Sequence, residues 1–261
     1  MRCVVIALLL CLAGATAATD ERPAPGDAPS GEPPPRTFEP TDAYEARDVE
    51  GWRVLVNKRL VRDEPAVCDE VLALLRVQLY QAARVVPAAA VAKLKRVTIW
   101  VERDEPHHPC MVYHPDAGWL REHGMNPDKA RCVEVADAAN FLAWTKDQPW
   151  MVLHELAHAY HHQFLPDGYG NRDLRDAWRR ATVDEKRYGP VLHISGRTVP
   201  AYAANNPMEF FAEASEALFG TNDFYPFVRA ELASHDRETY ELVRRLWDAS
   251  GNDETRNQKS E

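Results

Sequence analysis

The sequence has little cysteine, no surplus of basic residues and no long apolar run after its first 17 residues. Five cysteines in 261 residues are too few for a small domain held together by dense disulfides. Lysine and arginine number 31 against 40 aspartates and glutamates, and the net charge of −9 disfavours a nucleic-acid partner, because phosphates require basic surfaces. A membrane-spanning helix needs about 20 apolar residues. The sequence therefore predicts neither nucleic-acid binding nor membrane attachment of the mature chain.

The first residues have the pattern of a secretory signal peptide. Arg2 supplies a positive charge, the apolar run Cys3–Ala13 follows, and Ala15-Thr16-Ala17 forms a small-residue cleavage site. The run is too short to span a bilayer. We therefore predict a signal peptide over residues 1–17, cleaved after Ala17, and a secreted or periplasmic protein.

Two further segments differ in composition from the rest of the chain. Residues 18–40 contain seven prolines, which predicts an extended linker because such a stretch cannot bury a core. Residues 251–261 are polar apart from Gly251 and are expected to form a frayed tail. No second linker interrupts the residues between them, so we predict one domain over residues 41–250.

Apolar residues in this domain follow helical spacing in some segments and strand-like runs in others, which predicts an α+β fold. The predicted strands are Trp52–Val56, Val97–Val101, Cys132–Val135 and a hairpin of residues 191–194 and 198–201. The predicted helices are Val67–Leu79, Pro149–Leu165, Asp173–Lys186, Pro207–Phe219 and Tyr225–Trp247. Residues 104–130 are predicted to form a long loop. We place the strand 132–135 at the sheet edge, where an extended substrate could pair with it.

Three cysteines lie outside the predicted signal peptide, so at least one has no partner within the chain. Cys68 falls in a predicted helix and is expected to be a buried thiol. Because a secreted protein permits disulfides, we predict a bridge between Cys110 and Cys132.

The segment His154-Glu155-Leu156-Ala157-His158 is an HExxH sequence within a predicted helix. Residues four apart lie one turn apart on the same side of a helix, so both imidazoles can reach one metal ion. Glu155 is rotated by about 100° and can hold a water bound to that ion. The sequence therefore predicts that His154 and His158 bind zinc and that Glu155 acts on the water.

A zinc site requires a third protein ligand, and the next histidines do not supply it. A helix rises about 10 Å over the seven residues from His154 to His161, too far to share one ion. We therefore expect His161 and His162 to be solvent-exposed groups or indirect neighbours of the metal. Residue 164 is Phe rather than His, which excludes the extended metzincin motif.

A stripe of acidic residues in the helix 207–219 is a better source of the third ligand. Glu209, Glu213 and Glu216 follow one another at intervals of four and three residues. We predict Glu209 as the ligand, Glu213 as the acceptor of the free N–H of a liganding histidine, and Glu216 as a solvated or paired group. Glu209 could alternatively act as a capping-box acid after Asn206 as N-cap, and the two roles are compatible.

These residues together resemble the gluzincin metallopeptidases, in which a downstream Glu-x-x-x-Glu helix follows the HExxH helix. The segment Tyr202–Ala214 is similar to the catalytic domain of the anthrax lethal factor family, in which a tyrosine seven residues before the ligand glutamate faces the metal. The resemblance covers about residues 150–220 and implies a zincin-like fold, a zinc ion and peptidase activity, with Tyr202 facing the metal. Nothing upstream resembles the binding domains of the toxin, so no toxin role or substrate is implied.

The predicted function is a secreted zinc metallopeptidase that acts on a peptide or protein. Glu155 would take a proton from the zinc-bound water, and zinc with Tyr202 would stabilise the oxyanion. His193 is a second possible oxyanion donor. Three further histidines are expected at the surface: His107, His108 and His114.

Two other functions are compatible with the sequence. The first is a different zinc hydrolase that uses Cys110 as its third ligand. The second is a non-catalytic binding module with a structural metal, although structural zinc sites are usually closed by four protein ligands and rich in cysteine.

Overall fold

The computed structural model describes residues 38–248 of the chain. The predicted signal peptide, nearly all of the predicted linker and the polar tail lie outside the described residues. The described residues belong to one compact unit. None of their helices has both the length and the apolar character needed to cross a membrane.

Strands and helices are mixed along the chain, which confirms the α+β class. The strands are β1 (Tyr44–Val49), β2 (Trp52–Asn57), β3 (Ile99–Val101), β4 (Met111–Tyr113), β5 (Val133–Val135), β6 (Pro190–Leu192) and β7 (Thr198–Pro200). The α-helices are α1 (Lys58–Asp63), α2 (Pro65–Val85), α3 (Ala88–Leu94), α4 (Ala117–Glu122), α5 (Ala138–Trp144), α6 (Met151–Phe164), α7 (Arg172–Trp178), α8 (Pro207–Phe219), α9 (Arg229–His235) and α10 (Arg237–Asp248). A π-helical segment, Arg179–Asp184, continues α7.

The main sheet has the strand order β1-β2-β3-β5-β4. β2, β3 and β5 are parallel, whereas β1 and β4 pair antiparallel at the two edges. The prediction that the strand 132–135 forms an edge is therefore wrong, because β4 pairs with its outer side. The predicted hairpin is confirmed as β6 and β7, which pair antiparallel.

The predicted long loop 104–130 is also wrong, because it contains β4, α4 and a short 3-10 helix, Pro127–Lys129. A side chain caps the N-terminus of each of these two helical segments. Asp116 accepts a hydrogen bond from the Trp119 N–H, and Asn126 accepts one from the Asp128 N–H. The prolines that suggested a loop mark the ends of short elements. The predicted helix 225–247 is divided into α9 and α10 at Asp236, whose side chain accepts from the Thr239 N–H.

The two faces of the sheet are buried in different ways. Apolar residues of the parallel strands face a core that includes α2, α6 and α8. On the opposite face Glu134 is completely buried, and the Lys129 ammonium lies between its carboxylate and that of Glu102. The Nε2 of His114 lies 2.5 Å from Glu134. The second face therefore carries a buried polar network, in which Lys129 compensates part of the charge of two carboxylates, beside a small apolar cluster of Tyr44, Leu55 and Trp100.

The predicted disulfide is wrong, because all three described cysteines are free. β4 and β5 run antiparallel, with Cys110 hydrogen-bonded to Ala136 and Cys132 to His114, at opposite ends of the ladder. Four strand residues separate these ends, or about 13 Å, whereas bridged cysteines have Cα atoms less than about 7 Å apart. Cys68 is buried in α2, as predicted.

The start of α6 and the end of α8 meet at a contact that only glycine permits. A Cβ atom added to Gly220, which follows α8, would lie 2.0 Å from a ring carbon of Trp150, which precedes α6. The indole therefore packs directly on the glycine backbone, and this contact fixes the relation between the two helix ends.

We expect Gly220→Ala to lower the free energy of unfolding by about 1–3 kcal/mol, the usual cost of overpacking. Urea unfolding followed by tryptophan fluorescence measures the effect. Gly170→Ala is the matched control, because its added Cβ would meet no atom closer than 3.8 Å. Equal stabilities of the two variants would contradict this account of the Trp150 contact.

Candidate metal centre

The candidate site lies where α6 packs against α8. The side chain of Asn206 accepts hydrogen bonds from the N–H groups of Met208 and Glu209, both at 2.9 Å, and Pro207 occupies the first turn. Such a cap and proline fix the residue at which a helix begins. The predicted bounds of this helix, 207–219, are therefore confirmed, and Glu209 is held in its first turn.

Three predicted ligands converge at this contact. The Oε2 atom of Glu209 lies 3.0 Å from Nε2 of His154 and 3.2 Å from Nε2 of His158. Tetrahedral zinc with bonds of about 2.0–2.1 Å holds its ligand atoms about 3.3 Å apart. The distances from Glu209 Oε2 to the two Nε2 atoms are close to this value. Two imidazoles and one carboxylate are also a donor set that zinc accepts. The three residues could therefore hold a metal ion, and zinc is one that suits their donor atoms.

The contacts of Glu209 distinguish its two predicted roles, as a metal ligand and as a capping-box acid. Its backbone N–H is bound by the Asn206 side chain, while its carboxylate approaches both histidines. Asn206 is thus the helix cap, and the glutamate side chain is directed at the imidazoles.

The predicted partner of the histidine N–H is wrong. Nδ1 of His154 lies 2.7 Å from Oε1 of Glu216 but 3.9 Å from Oε1 of Glu213. Glu213 instead accepts a hydrogen bond of 3.1 Å from the Asn222 amide. The imidazole of His154 lies along α8, so that its two nitrogens reach carboxylates that are two helical turns apart.

Three carboxylates near His154 are almost completely buried: Glu213, Glu216 and Asp223, each 4% exposed. Burial raises the pKa of all three groups, and Asp223 raises that of the other two further. The Oδ2 atom of Asp223 lies 3.4 Å from the Gln148 amide and 3.5 Å from Nε2 of His193. His193, the second predicted oxyanion donor, is therefore connected to the same cluster.

The predicted catalytic residues lie at the same helix contact. Tyr202 belongs to a one-turn 3-10 helix, Tyr202–Ala204, between β7 and α8, and its ring centroid is 6.3 Å from that of His154. Burial raises the pKa of Tyr202, and the charges of Glu209 and Glu155 raise it further. Glu155 is half-buried in α6, directly after His154.

Tyr169 is a second tyrosine near the site, and no sequence pattern pointed to it. It lies in the short 3-10 helix Gly168–Gly170, and its ring packs 4.7 Å from that of His162. Burial raises its pKa, as do Tyr113, Glu155 and Glu209. No spacing relates Tyr169 to the HExxH segment, because the chain turns back after α6 before reaching it.

Several other histidines differ from their predicted exposure. His161 is completely buried, and burial lowers its pKa to about 3. His114 is buried against Glu134, contrary to the surface prediction, whereas His107 is exposed as predicted. His108 is partly buried, which lowers its pKa to about 4. His162 is partly exposed, and its Nδ1 lies 2.8 Å from the Tyr113 hydroxyl.

Cys110, the alternative third ligand, is not part of this arrangement. Its thiol is buried against the Met151 sulfur at 3.4 Å, and burial raises its pKa to about 12. Within residues 38–248, the groups whose ligand atoms converge are His154 with His158 and Glu209, and His154 with Glu213 and Glu216.

We expect Glu216→Ala to weaken zinc affinity by about 10–100-fold, because an acceptor that orients a metal-binding histidine is lost. Glu213→Ala removes the same atoms from an equally buried position on α8 and is the matched control. Competition with a zinc chelator measures both affinities. The opposite order of effects would assign the orienting role to Glu213.

Comparisons with other proteins give no independent guide to this site. The chain matches no protein-family model, no curated protein and no solved structure.

Proposed function

We propose that this protein is a secreted zinc metallopeptidase with a zincin-like fold. The observation that carries the proposal is the convergence of His154, His158 and Glu209 beside Glu155. This set has three protein ligands, which is typical of catalytic zinc sites with an open position, whereas structural sites are usually closed by four. The donor set thus favours an enzyme over a non-catalytic binding module.

The arrangement of strands also supports a peptidase. β4 is an antiparallel edge strand that contacts α6, through the Tyr113 hydroxyl and His162. An exposed edge can pair with an extended peptide through main-chain hydrogen bonds. We therefore assign the substrate-pairing role, predicted for the strand 132–135, to β4.

The chemistry of the chain's own residues follows from their positions. Zinc, when bound, lowers the pKa of a coordinated water towards about 7 and polarises a carbonyl group. Glu155 accepts the proton of the attacking water and transfers it to the leaving amine. Tyr202 donates a hydrogen bond to the oxygen on which negative charge develops. His193, held beside Asp223, is the second candidate for this donor.

A hydrolase that uses Cys110 as its ligand is less well supported. Cys110 is buried against Met151, while Glu209 lies within 3.2 Å of both motif histidines. A neutral, buried thiol is a poor metal ligand, because the thiolate is the binding form.

The protein purified without chelator should contain about one zinc per chain, and Glu155→Gln should retain it. Loss of the general base should lower the rate of peptide hydrolysis by about 10²–10⁴-fold. Elemental analysis and a proteome-derived peptide library measure the two quantities. Glu209→Ala, which removes a ligand, is expected to lose most of the zinc. Wild-type protein without a transition metal, or an active Glu155→Gln variant, would contradict the proposal.

Tyr202→Phe tests the donor to the oxyanion. The substitution keeps the ring and removes only the hydroxyl, so the zinc content and the melting temperature should not change. We expect kcat to fall by about 10²-fold or more, the usual cost of one oxyanion donor. Steady-state kinetics on a cleaved library peptide measure the effect. Full activity would transfer the role to His193, with His193→Gln as the next variant.

A further inference from the structure

The two histidines of the candidate site differ in the hydrogen-bond partners of their Nδ1 atoms. Nδ1 of His154 has the Glu216 carboxylate at 2.7 Å. Nδ1 of His158 has no hydrogen-bond partner among the described residues, although this histidine is only 8% exposed. A histidine that binds a metal through Nε2 carries a proton on Nδ1 and almost always donates it to an acceptor. The structure therefore leaves one buried donor to be satisfied.

A second buried imidazole lies three residues further along α6. His161 is completely buried, and neither of its ring nitrogens makes a hydrogen bond of normal geometry within residues 38–248. Its ring is enclosed by the rings of Tyr169 and Phe211, whose centroids are 5.0 and 5.3 Å away. An apolar side chain would fill this space without the cost of about 1–3 kcal/mol that an unsatisfied buried polar group carries. Packing alone does not explain a histidine here.

The positions of the two imidazoles complement each other. Side chains three residues apart on a helix are neighbours, with Cβ atoms about 5–6 Å apart. A neutral imidazole has one donor and one acceptor nitrogen. Whichever tautomer it adopts, His161 therefore has one ring nitrogen that can accept the Nδ1–H of His158, and neither of its nitrogens has another partner among the described residues.

We propose that His161 is a positioning residue for His158, accepting the His158 Nδ1–H through one buried water. The inference rests on the proposed zinc site. In this arrangement His158 gains the orientation that Glu216 gives to His154, and His161 acts on the metal only through His158. A buried water requires two or more polar partners, and the ring nitrogens of His158 and His161 supply two.

A positioning role and a structural role predict different results for His161→Phe. The phenyl ring retains the packing against Tyr169 and Phe211 and removes two unsatisfied nitrogens. The metal-free variant should therefore melt at the same temperature as the wild type or higher. Its zinc affinity should nevertheless fall by about tenfold or more, the usual loss when the partner of a metal-binding histidine is removed.

Chelator competition for zinc and thermal unfolding in EDTA measure these two quantities. His161→Gln keeps a hydrogen-bond acceptor and should recover part of the zinc affinity. It also provides the measurement if His161→Phe does not fold. His162→Phe is the control, because His162 contacts Tyr113 rather than His158 and should bind zinc like the wild type.

Two outcomes would overturn the inference, and they are distinguishable. Unchanged zinc affinity in both His161 variants, with a wild type that binds zinc, would refute the positioning role alone, whether or not the melting temperature moves. A wild type that binds no zinc would refute the proposed function, and this inference with it.

Discussion

The packing of α6 against α8 is the interaction on which the candidate site depends. One carboxylate, that of Glu209, lies between two imidazoles from the other helix, and a shift of either helix by one residue would rotate a ligand by about 100°. Asn206 and Pro207 fix where α8 begins, while the contact of Trp150 with Gly220 fixes its end against the start of α6. The position of α8 relative to α6 is thus set by contacts at the helix ends, and not by the ligand residues themselves.

The same packing encloses an unusual amount of negative charge. Glu213, Glu216 and Asp223 are buried together, and although each has a polar partner, burying several carboxylates in one place is costly. A cation held by His154, His158 and Glu209 would offset part of that cost, and the buried acids would in turn hold the cation more tightly. The buried acids of this region and the proposed metal would therefore stabilise each other.

Local signals in the sequence predicted some features of the structure and not others. The α8 bounds followed from local signals, an N-cap, a proline and a terminal glycine. The choice between Glu213 and Glu216 did not, because it depends on how the His154 ring lies along α8, and spacing within one helix carries no such information. The Cys110–Cys132 bridge failed for a similar reason: strand register decides which residues face each other. β4 and β5 have three residues each, too few for a periodic pattern.

The polar network on the opposite face of the sheet also bears on the site, through β4. This strand is short, yet side chains at its C-terminal end make contacts on both faces of the sheet. The Tyr113 hydroxyl meets His162 of α6, and the next residue, His114, is bound to the buried Glu134. Glu134 is in turn paired with Lys129. A three-residue edge strand has few ladder hydrogen bonds to hold it, so these side chains fix the strand that would align an extended substrate with α6. The buried ion pairs on one face of the sheet thereby support the chemistry proposed for the other.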